Sequence, residues 1–283
     1  MNGKTVVITG ATSGIGEAAA LALAAMGARI VFTARDQAKA RTLMDQLIRA
    51  NPDAAHDFVL ADLSTLDGMR GAGTALKAKA THVDVLANNA GAIFEKREVT
   101  ADGLEKTFAV NHMAYFVITE ILRPNLDPDG GRIVSTASGA HVAARPDYDD
   151  LQMAGRYSSM TAYGNSKLYN ILWTHELARR LRGTRVTANC YHPGGVATGF
   201  GSNNKGLLKT IFRLAGPLMI SPEKGADTLV WLASSSEAAG RSGGYYVRRR
   251  LTMPSAAGRD EAAGHRLWAE SERIAGLAEA GAA

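Results

Sequence analysis

The sequence predicts a doubly wound α/β fold, a parallel sheet of about seven strands covered by helices on both faces. Three observations predict it. Short runs rich in Val and Ile alternate with longer amphipathic stretches along the chain. Most runs are continuously apolar rather than alternating, the pattern of strands buried on both faces. The first run opens into a glycine-rich turn followed by a helical pattern, a unit suited to holding phosphate on backbone N–H groups and a helix dipole.

The elements follow in order. Thr5–Thr9 is the first strand, and Ile15–Gly27 is a helix. Arg29–Ala34 is the second strand and Gln37–Arg49 the next helix. Asp57–Ala61 and Val83–Ala87 are strands three and four. A helical pattern over Leu104–Leu122 precedes the fifth strand, Arg132–Thr136, and another over Tyr163–Leu181 precedes the sixth, Arg185–Tyr191. Ser221-Pro222-Glu223 starts a helix, with a capping hydroxyl followed by proline at the first helical position. Gly244–Val247 is the last strand. Two segments break the rhythm. Residues 139–162 are polar, with Pro146 and acids at Asp147, Asp149 and Asp150. Residues 199–220 are Gly-rich and then apolar, through Leu207, Leu208, Ile211, Phe212 and Leu214. Long connections of this kind are functional loops or plain surface elaboration, and the pattern leaves both readings open. No repeat or boundary divides the chain, so residues 1–283 are expected to form one domain, frayed after Leu277.

Composition excludes several classes. At 283 residues, with 46% hydrophobic and 21% charged, the chain can bury a full core without a staple. A single cysteine, Cys190, excludes a disulfide framework and a Cys-rich zinc site, and no metal is expected. The net charge of +5 is scattered rather than gathered into a basic stripe, so no nucleic-acid partner is expected. No apolar run approaches the ~18 residues of a membrane span, and no leader pattern opens the chain. The expectation is a cytoplasmic protein acting on a small molecule. A homodimer or homotetramer is compatible with it.

The strand ends carry a nucleotide-site pattern. Gly10, Thr12, Ser13, Gly14, Ile15 and Gly16 form the turn after the first strand. Its glycines let the backbone approach a pyrophosphate, in the strand–turn–helix context that such a motif requires. The second strand ends Ala34-Arg35-Asp36. An acid at this point accepts from a free ribose 2′-hydroxyl, whereas an arginine pairs with a 2′-phosphate. Arg35 therefore favours NADP(H) over NAD(H), while Asp36 argues the other way. Asp62-Leu63 after the third strand places a carboxylate for the adenine amino group. Asn89, Ala90 and Gly91 after the fourth can lie against adenine and ribose.

Tyr163 and Lys167 are four residues apart on one predicted helix face, where the ammonium would favour the phenolate. A phenol with lowered pKa can donate and retrieve a proton. Ser138 ends the fifth strand, where its hydroxyl can hold a substrate oxygen. Asn111 lies inside a helical pattern, a costly position that implies a local hydrogen-bonding reason.

Together these pieces resemble the short-chain dehydrogenase/reductase family, a Rossmann fold. They are T-G-A-T-S-G-I-G, A-D-L, N-N-A-G, V-N-H, I-V-S-T-A-S, Y-G-N-S-K and H-P-G-G-V-A-T, in family order from Lys4 to about Leu277. The branch they look most like contains the retinol dehydrogenases and WW-domain oxidoreductases. T-A-R-D, D-D-L-Q, S-G-G-Y-Y-V and the terminal H-R-L-W-A-E-S carry that likeness. The resemblance implies a tetrad of Asn111, Ser138, Tyr163 and Lys167. Ser138 would orient a carbonyl and Tyr163 would be the general acid/base. Lys167 would bind the nicotinamide ribose and lower the Tyr pKa. Asn111 would bend its helix and hold a relay water. Pro193, Gly194, Val196 and Thr198 would contact the nicotinamide end. Where the family pattern usually has two serines, this chain has Ala137 and Ser138.

His112, His141 and His192 read as loop or packing residues rather than bases, and Cys190 as an inert core thiol. Arg248-Arg249-Arg250 read as a solvated edge or a contact for a polar substrate group. The function implied is an NADP(H)-dependent interconversion of a carbonyl and an alcohol on a hydrophobic or aromatic molecule, walled by 139–162 and 199–220. The rivals are a silent nucleotide-binding sensor or scaffold, and a non-redox epimerase or dehydratase on the same fold.

Overall fold

A computed structural model describes residues 1–195 and 220–277. Val196, Thr198 and nearly all of the 199–220 segment lie outside the described residues.

The sheet has the strand order β3-β2-β1-β4-β5-β6-β7-β8 among the described residues. The strands are β1 (Thr5–Ile8), β2 (Arg29–Ala34), β3 (Asp57–Leu60), β4 (Val85–Asn88), β5 (Arg132–Thr136), β6 (Thr187–His192), β7 (Tyr245–Val247) and β8 (Arg250–Thr252). The first seven pair in parallel and match the seven predicted runs, with ends displaced by a residue or two. The eighth is an addition to the prediction. β8 turns back antiparallel on β7, with Val247 opposite Arg250. The turn residues Arg248 and Arg249 both have positive φ, at 50° and 63°. Three residues beginning with arginine carry no strand pattern of their own; pairing to β7 makes the strand.

Strand direction explains the continuous apolar runs. Alternate residues of each strand face opposite helical layers. Val6, Ile8, Ile30, Phe32, Val85 and Ala87 pack beneath α1 (Gly14–Ala25), α2 (Gln37–Ala50) and α7 (Pro222–Ser234). Val7, Val31, Leu86 and Ile133 pack beneath α3 (Leu66–Lys79), α5 (Ala114–Leu122), α6 (Ser159–Arg180) and α8 (Glu261–Ala275). Val6, Val7 and Ile8 are all fully buried, so both faces of β1 need apolar residues. Burying one such side chain contributes about 1.5–3 kcal/mol. Ser221 caps α7 by accepting from the Lys224 N–H at 3.4 Å, with Pro222 in the first turn as predicted.

Two predicted elements differ. The pattern over Leu104–Leu122 is helical without a break from Lys106, but not uniform: a short α4 (Lys106–Phe108) runs through a π-helical turn, Ala109–Met113, into α5. Asn111 sits in the widened turn, and its side chain bonds outside the helix. Residues 139–162 are also more ordered than a plain connection. They open with a 3₁₀ turn, Gly139–Ala143, and α6 already begins at Ser159. Arg145 N–H donates to Asn165 Oδ1 at 2.8 Å, and the Tyr157 hydroxyl donates to the Phe94 carbonyl at 2.8 Å. These bonds fasten the segment beside the carboxyl ends of the strands. No helix among the described residues is long and apolar enough to cross a membrane.

Candidate active site

Strand order reverses between β1 and β4, and the carboxyl ends there form the crevice where open α/β sheets bind ligands. The glycine turn lies at this point. Gly10 has φ 66°, and a Cβ on it would meet the Ala90 Cα at 2.8 Å. A Cβ on Gly16 would stand 2.3 Å from the Gly10 carbonyl oxygen and 2.5 Å from Asn89 Nδ2. The turn is therefore folded tightly against the end of β4, at the start of α1. Asn89 stitches the two together. Its Nδ2 donates to the carbonyls of Thr9 at 3.2 Å and Gly10 at 3.0 Å. Thr9 Oγ1 accepts from the N–H groups of Asn89 and Ala90, and Thr33 Oγ1 accepts from the Gly10 N–H. Thr9 and Thr33 were not singled out by sequence. Their only signal is a hydroxyl residue at a strand end.

Ser13 is the N-cap of α1, yet its side chain makes no capping hydrogen bond. The N-terminal amides of α1 open at these strand ends, a cradle that fits a pyrophosphate. Arg35, at the end of β2, is exposed and has no hydrogen bond or ion pair with any described residue. Asp36 is not equivalent to it. Its Oδ1 accepts from the Ala38 N–H at 2.8 Å and the Lys39 N–H at 3.1 Å, capping α2. Asp62 Oδ1 accepts from the Ser64 N–H at 3.0 Å, and the Leu63 side chain belongs to the core. The chain thus presents a cradle, a guanidinium unpaired among the described residues and a carboxylate along the strand ends, a set that fits a dinucleotide. Pro193 and Gly194 follow β6 at the same edge.

The other four residues converge beside Gly91. A Cβ on Gly91 would meet Asn111 Oδ1 and Lys167 Nζ, each at 3.4 Å. Tyr163 and Lys167 lie in the first turns of α6, and the Lys167 ammonium sits 5.6 Å from the Tyr163 ring centroid and 5.7 Å from that of Tyr115. Lys167 Nζ donates to the Thr136 carbonyl at 3.2 Å. The Tyr163 hydroxyl is hydrogen-bonded to the Ser138 side chain. Asn111 Oδ1 accepts from the Ala92 N–H at 2.7 Å, and Nδ2 donates to the Ala92 carbonyl at 2.9 Å and to Ser166 Oγ at 3.0 Å. Ser166, another residue not singled out, passes its own hydrogen to the Tyr163 carbonyl at 2.8 Å.

Two expectations change. Lys167 does not bring Tyr163 below the ordinary phenol range. Burial pushes the phenol up to about 12, only partly offset by Ser138. Burial also pushes the Lys167 ammonium down to about 7. The ammonium lies over the ring and is bonded to a carbonyl, so desolvation outweighs attraction. The Asn111 amide, moreover, has both its oxygen and its nitrogen engaged by protein.

His112, His141 and His192 all bond within the fold. His112 is fully buried, with Nε2 2.9 Å from Ser271 Oγ. His141 and His192 bond to backbone around Ser138. Cys190 is buried, and burial pushes its thiol up to about 12. Arg249 pairs with Asp227, and Arg248, Arg249 and Arg250 are all exposed.

Comparison with known proteins bears on the whole arrangement. A family model described as short chain dehydrogenase matches residues 4–206. A protein of Streptomyces sp. (strain C5) named "Putative daunorubicin C-13 ketoreductase DnrU" is 43% identical over 276 residues, covering 97% of this chain and 93% of its own. Human retinol dehydrogenase 13 is 37% identical over 287 residues, covering 97% and 85%. The crystal structure of a short chain dehydrogenase from Burkholderia cenocepacia J2315 in complex with NADP superposes with a TM-score of 0.69. It has 26% identity and covers 87% of this chain and 96% of that one.

Proposed function

The chain belongs to the short-chain dehydrogenase/reductase family, in its retinol-dehydrogenase-like branch, and from that premise we propose that it is an NADP(H)-dependent carbonyl reductase or alcohol dehydrogenase for hydrophobic small molecules. The family makes it an oxidoreductase using a nicotinamide cofactor.

One observation carries it: the Tyr163 hydroxyl on Ser138, with the Lys167 ammonium over the same ring and Asn111 and Gly91 beside it. When bound, the nicotinamide supplies or takes the hydride. The chain's own groups do the rest. Ser138 Oγ donates to the carbonyl oxygen and holds it beside Tyr163. Tyr163 Oη gives that oxygen its proton as negative charge develops there, and it is protonated in advance because burial holds its pKa high. Lys167 Nζ, titrating near neutrality, holds the ribose side and can replace the proton on Tyr163. In the alcohol direction the same atoms move the proton back. Gly10–Gly16 and the start of α1 would hold a pyrophosphate. Arg35 would take a 2′-phosphate, and with Asp36 Oδ1 committed to its helix cap the objection to NADP is weaker than the sequence implied. One relative is named for reducing a ketone and others for retinol, and both names concern a carbonyl/alcohol pair. This favours turnover over a silent scaffold or a non-redox reaction.

The test is steady NADPH oxidation with a panel of alkyl aryl ketones and long-chain aldehydes, with the alcohol quantified. Stoichiometric alcohol supports the reading. NADPH binding with no consumption across the panel contradicts it.

A further inference from the structure

We infer that His141 and His192 are positioning residues for Ser138, two neutral imidazoles of opposite tautomer that grip the two polar ends of the Ser138–Gly139 peptide unit. The inference rests on the reading that Ser138 Oγ holds the substrate oxygen.

One peptide plane contains the Ser138 carbonyl and the Gly139 N–H. His141 Nδ1 lies 2.7 Å from that carbonyl oxygen, which only accepts, so Nδ1 carries the hydrogen. His141 Nε2 lies 3.1 Å from the Ser255 N–H, which only donates, so Nε2 carries none. His192 is the reverse. Its Nδ1 accepts from the Gly139 N–H at 3.0 Å and from the Gly194 N–H at 3.3 Å, so its hydrogen is on Nε2. A second proton on either ring would set N–H against N–H and break the grip. The surroundings oppose that proton. His141 is 3% exposed with the Tyr245 ring against it at 5.2 Å, and the Arg248 guanidinium brings positive potential to His192. Burial holds both rings below the ordinary imidazole range.

The grip reaches far along the chain. Through His192 the peptide is tied to the end of β6 and the turn at Gly194; through His141 it is tied to Ser255, after β8. Ser138 Oγ also accepts from the Ala140 N–H at 3.2 Å. Backbone and hydroxyl are thus both fixed, and Oγ is left aimed at Tyr163. A packing imidazole could be replaced by any side chain of similar bulk. A gripping imidazole needs its lone pair.

Two measurements test this. In ¹⁵N-imidazole NMR of the wild-type protein at neutral pH, His141 Nδ1 should be pyrrole-like and His192 Nδ1 pyridine-like. The same protonation pattern in both rings, or a cationic ring, overturns the inference even if no substrate is ever found. In kinetics with NADPH and an alkyl aryl ketone, His192→Asn keeps an acceptor at the Nδ1 position and His192→Leu does not. The expectation is kcat lowered roughly 10- to 100-fold in His192→Leu and about threefold or less in His192→Asn, with the KM for NADPH little changed in both. Equal kcat values for the two variants overturn the inference. Tyr163→Phe run alongside separates the two claims: full activity in it defeats the assignment of the proton donor and leaves the tautomer result standing. Should His192→Leu not fold, the wild-type spectrum decides.

Discussion

Tyr163 and Lys167 stand on consecutive turns of one helix, and burial drives their proton affinities in opposite directions, up to about 12 and down to about 7. The lysine value makes a stability prediction. Against an ordinary lysine near 10.5, the folded chain releases this proton first, so the unfolded chain binds more protons between about pH 7 and 10.5. Wild-type stability should therefore gain from Lys167 as pH rises through that window, and lose the gain as pH falls back through about 7. The full swing is roughly 3–6 kcal/mol. Denaturant titrations without cofactor should show it in the wild type and not in Lys167→Met; parallel pH dependence in the two would contradict it. Arg35 makes the second prediction at this scale. A charge-assisted bond is worth roughly 1.5–3 kcal/mol, so Arg35→Ala should raise the KM for NADPH about tenfold or somewhat more and leave that for NADH nearly unchanged. A wild-type protein that prefers NADH would sink the assignment and turn attention to Asp36.

At the scale of elements, the glycine turn leaves no room for a side chain. Gly16→Val should fold poorly or fail to bind cofactor, because its Cβ would stand 2.3 Å from the Gly10 carbonyl oxygen; retained NADPH affinity, read by fluorescence, would contradict the tight turn. The same elements show what was legible in the sequence. Most of the parallel strands are buried on both faces and announce themselves as unbroken apolar runs, and the alternation with helical stretches placed the others. β8 could not be placed so, because Arg250–Thr252 is exposed on all three residues and owes its form to a neighbour. The tetrad was legible as motifs, and the structure brings all four residues together. Their proton affinities were not legible, since these depend on how deeply a side chain is buried rather than on its spacing from a partner. The π-turn was half legible. Asn111 mid-helix signalled a local hydrogen bond, but only the structure shows that Ala92 and Ser166 take its amide. Thr9, Thr33 and Ser166 gave no signal beyond being hydroxyl residues next to a motif.

For the whole molecule, residues 1–283 are expected to unfold as one unit, and a single calorimetric transition with coincident spectroscopic probes would show it. Its acid limit has an identifiable contributor. His112 is fully buried in the π-turn, against Ser271 of α8 and Tyr169 of α6, and burial lowers its imidazole from an ordinary 6.5 to about 3. Stability from the neutral ring is complete above pH 6.5 and drains away as pH falls toward 3. His112→Gln, which has no titrating ring, should lose less stability over that interval than the wild type; an equal or steeper loss would place the acid sensitivity elsewhere. The central claim, that Tyr163 delivers the proton to a carbonyl held at Ser138, is tested most directly by single-turnover reduction of an alkyl aryl ketone with NADPH in wild type and Tyr163→Phe, with cofactor affinity measured on the same samples. The account predicts a rate lower by roughly 10²- to 10⁴-fold in the variant with NADPH affinity unchanged. A variant that reduces the ketone at the wild-type rate would contradict it.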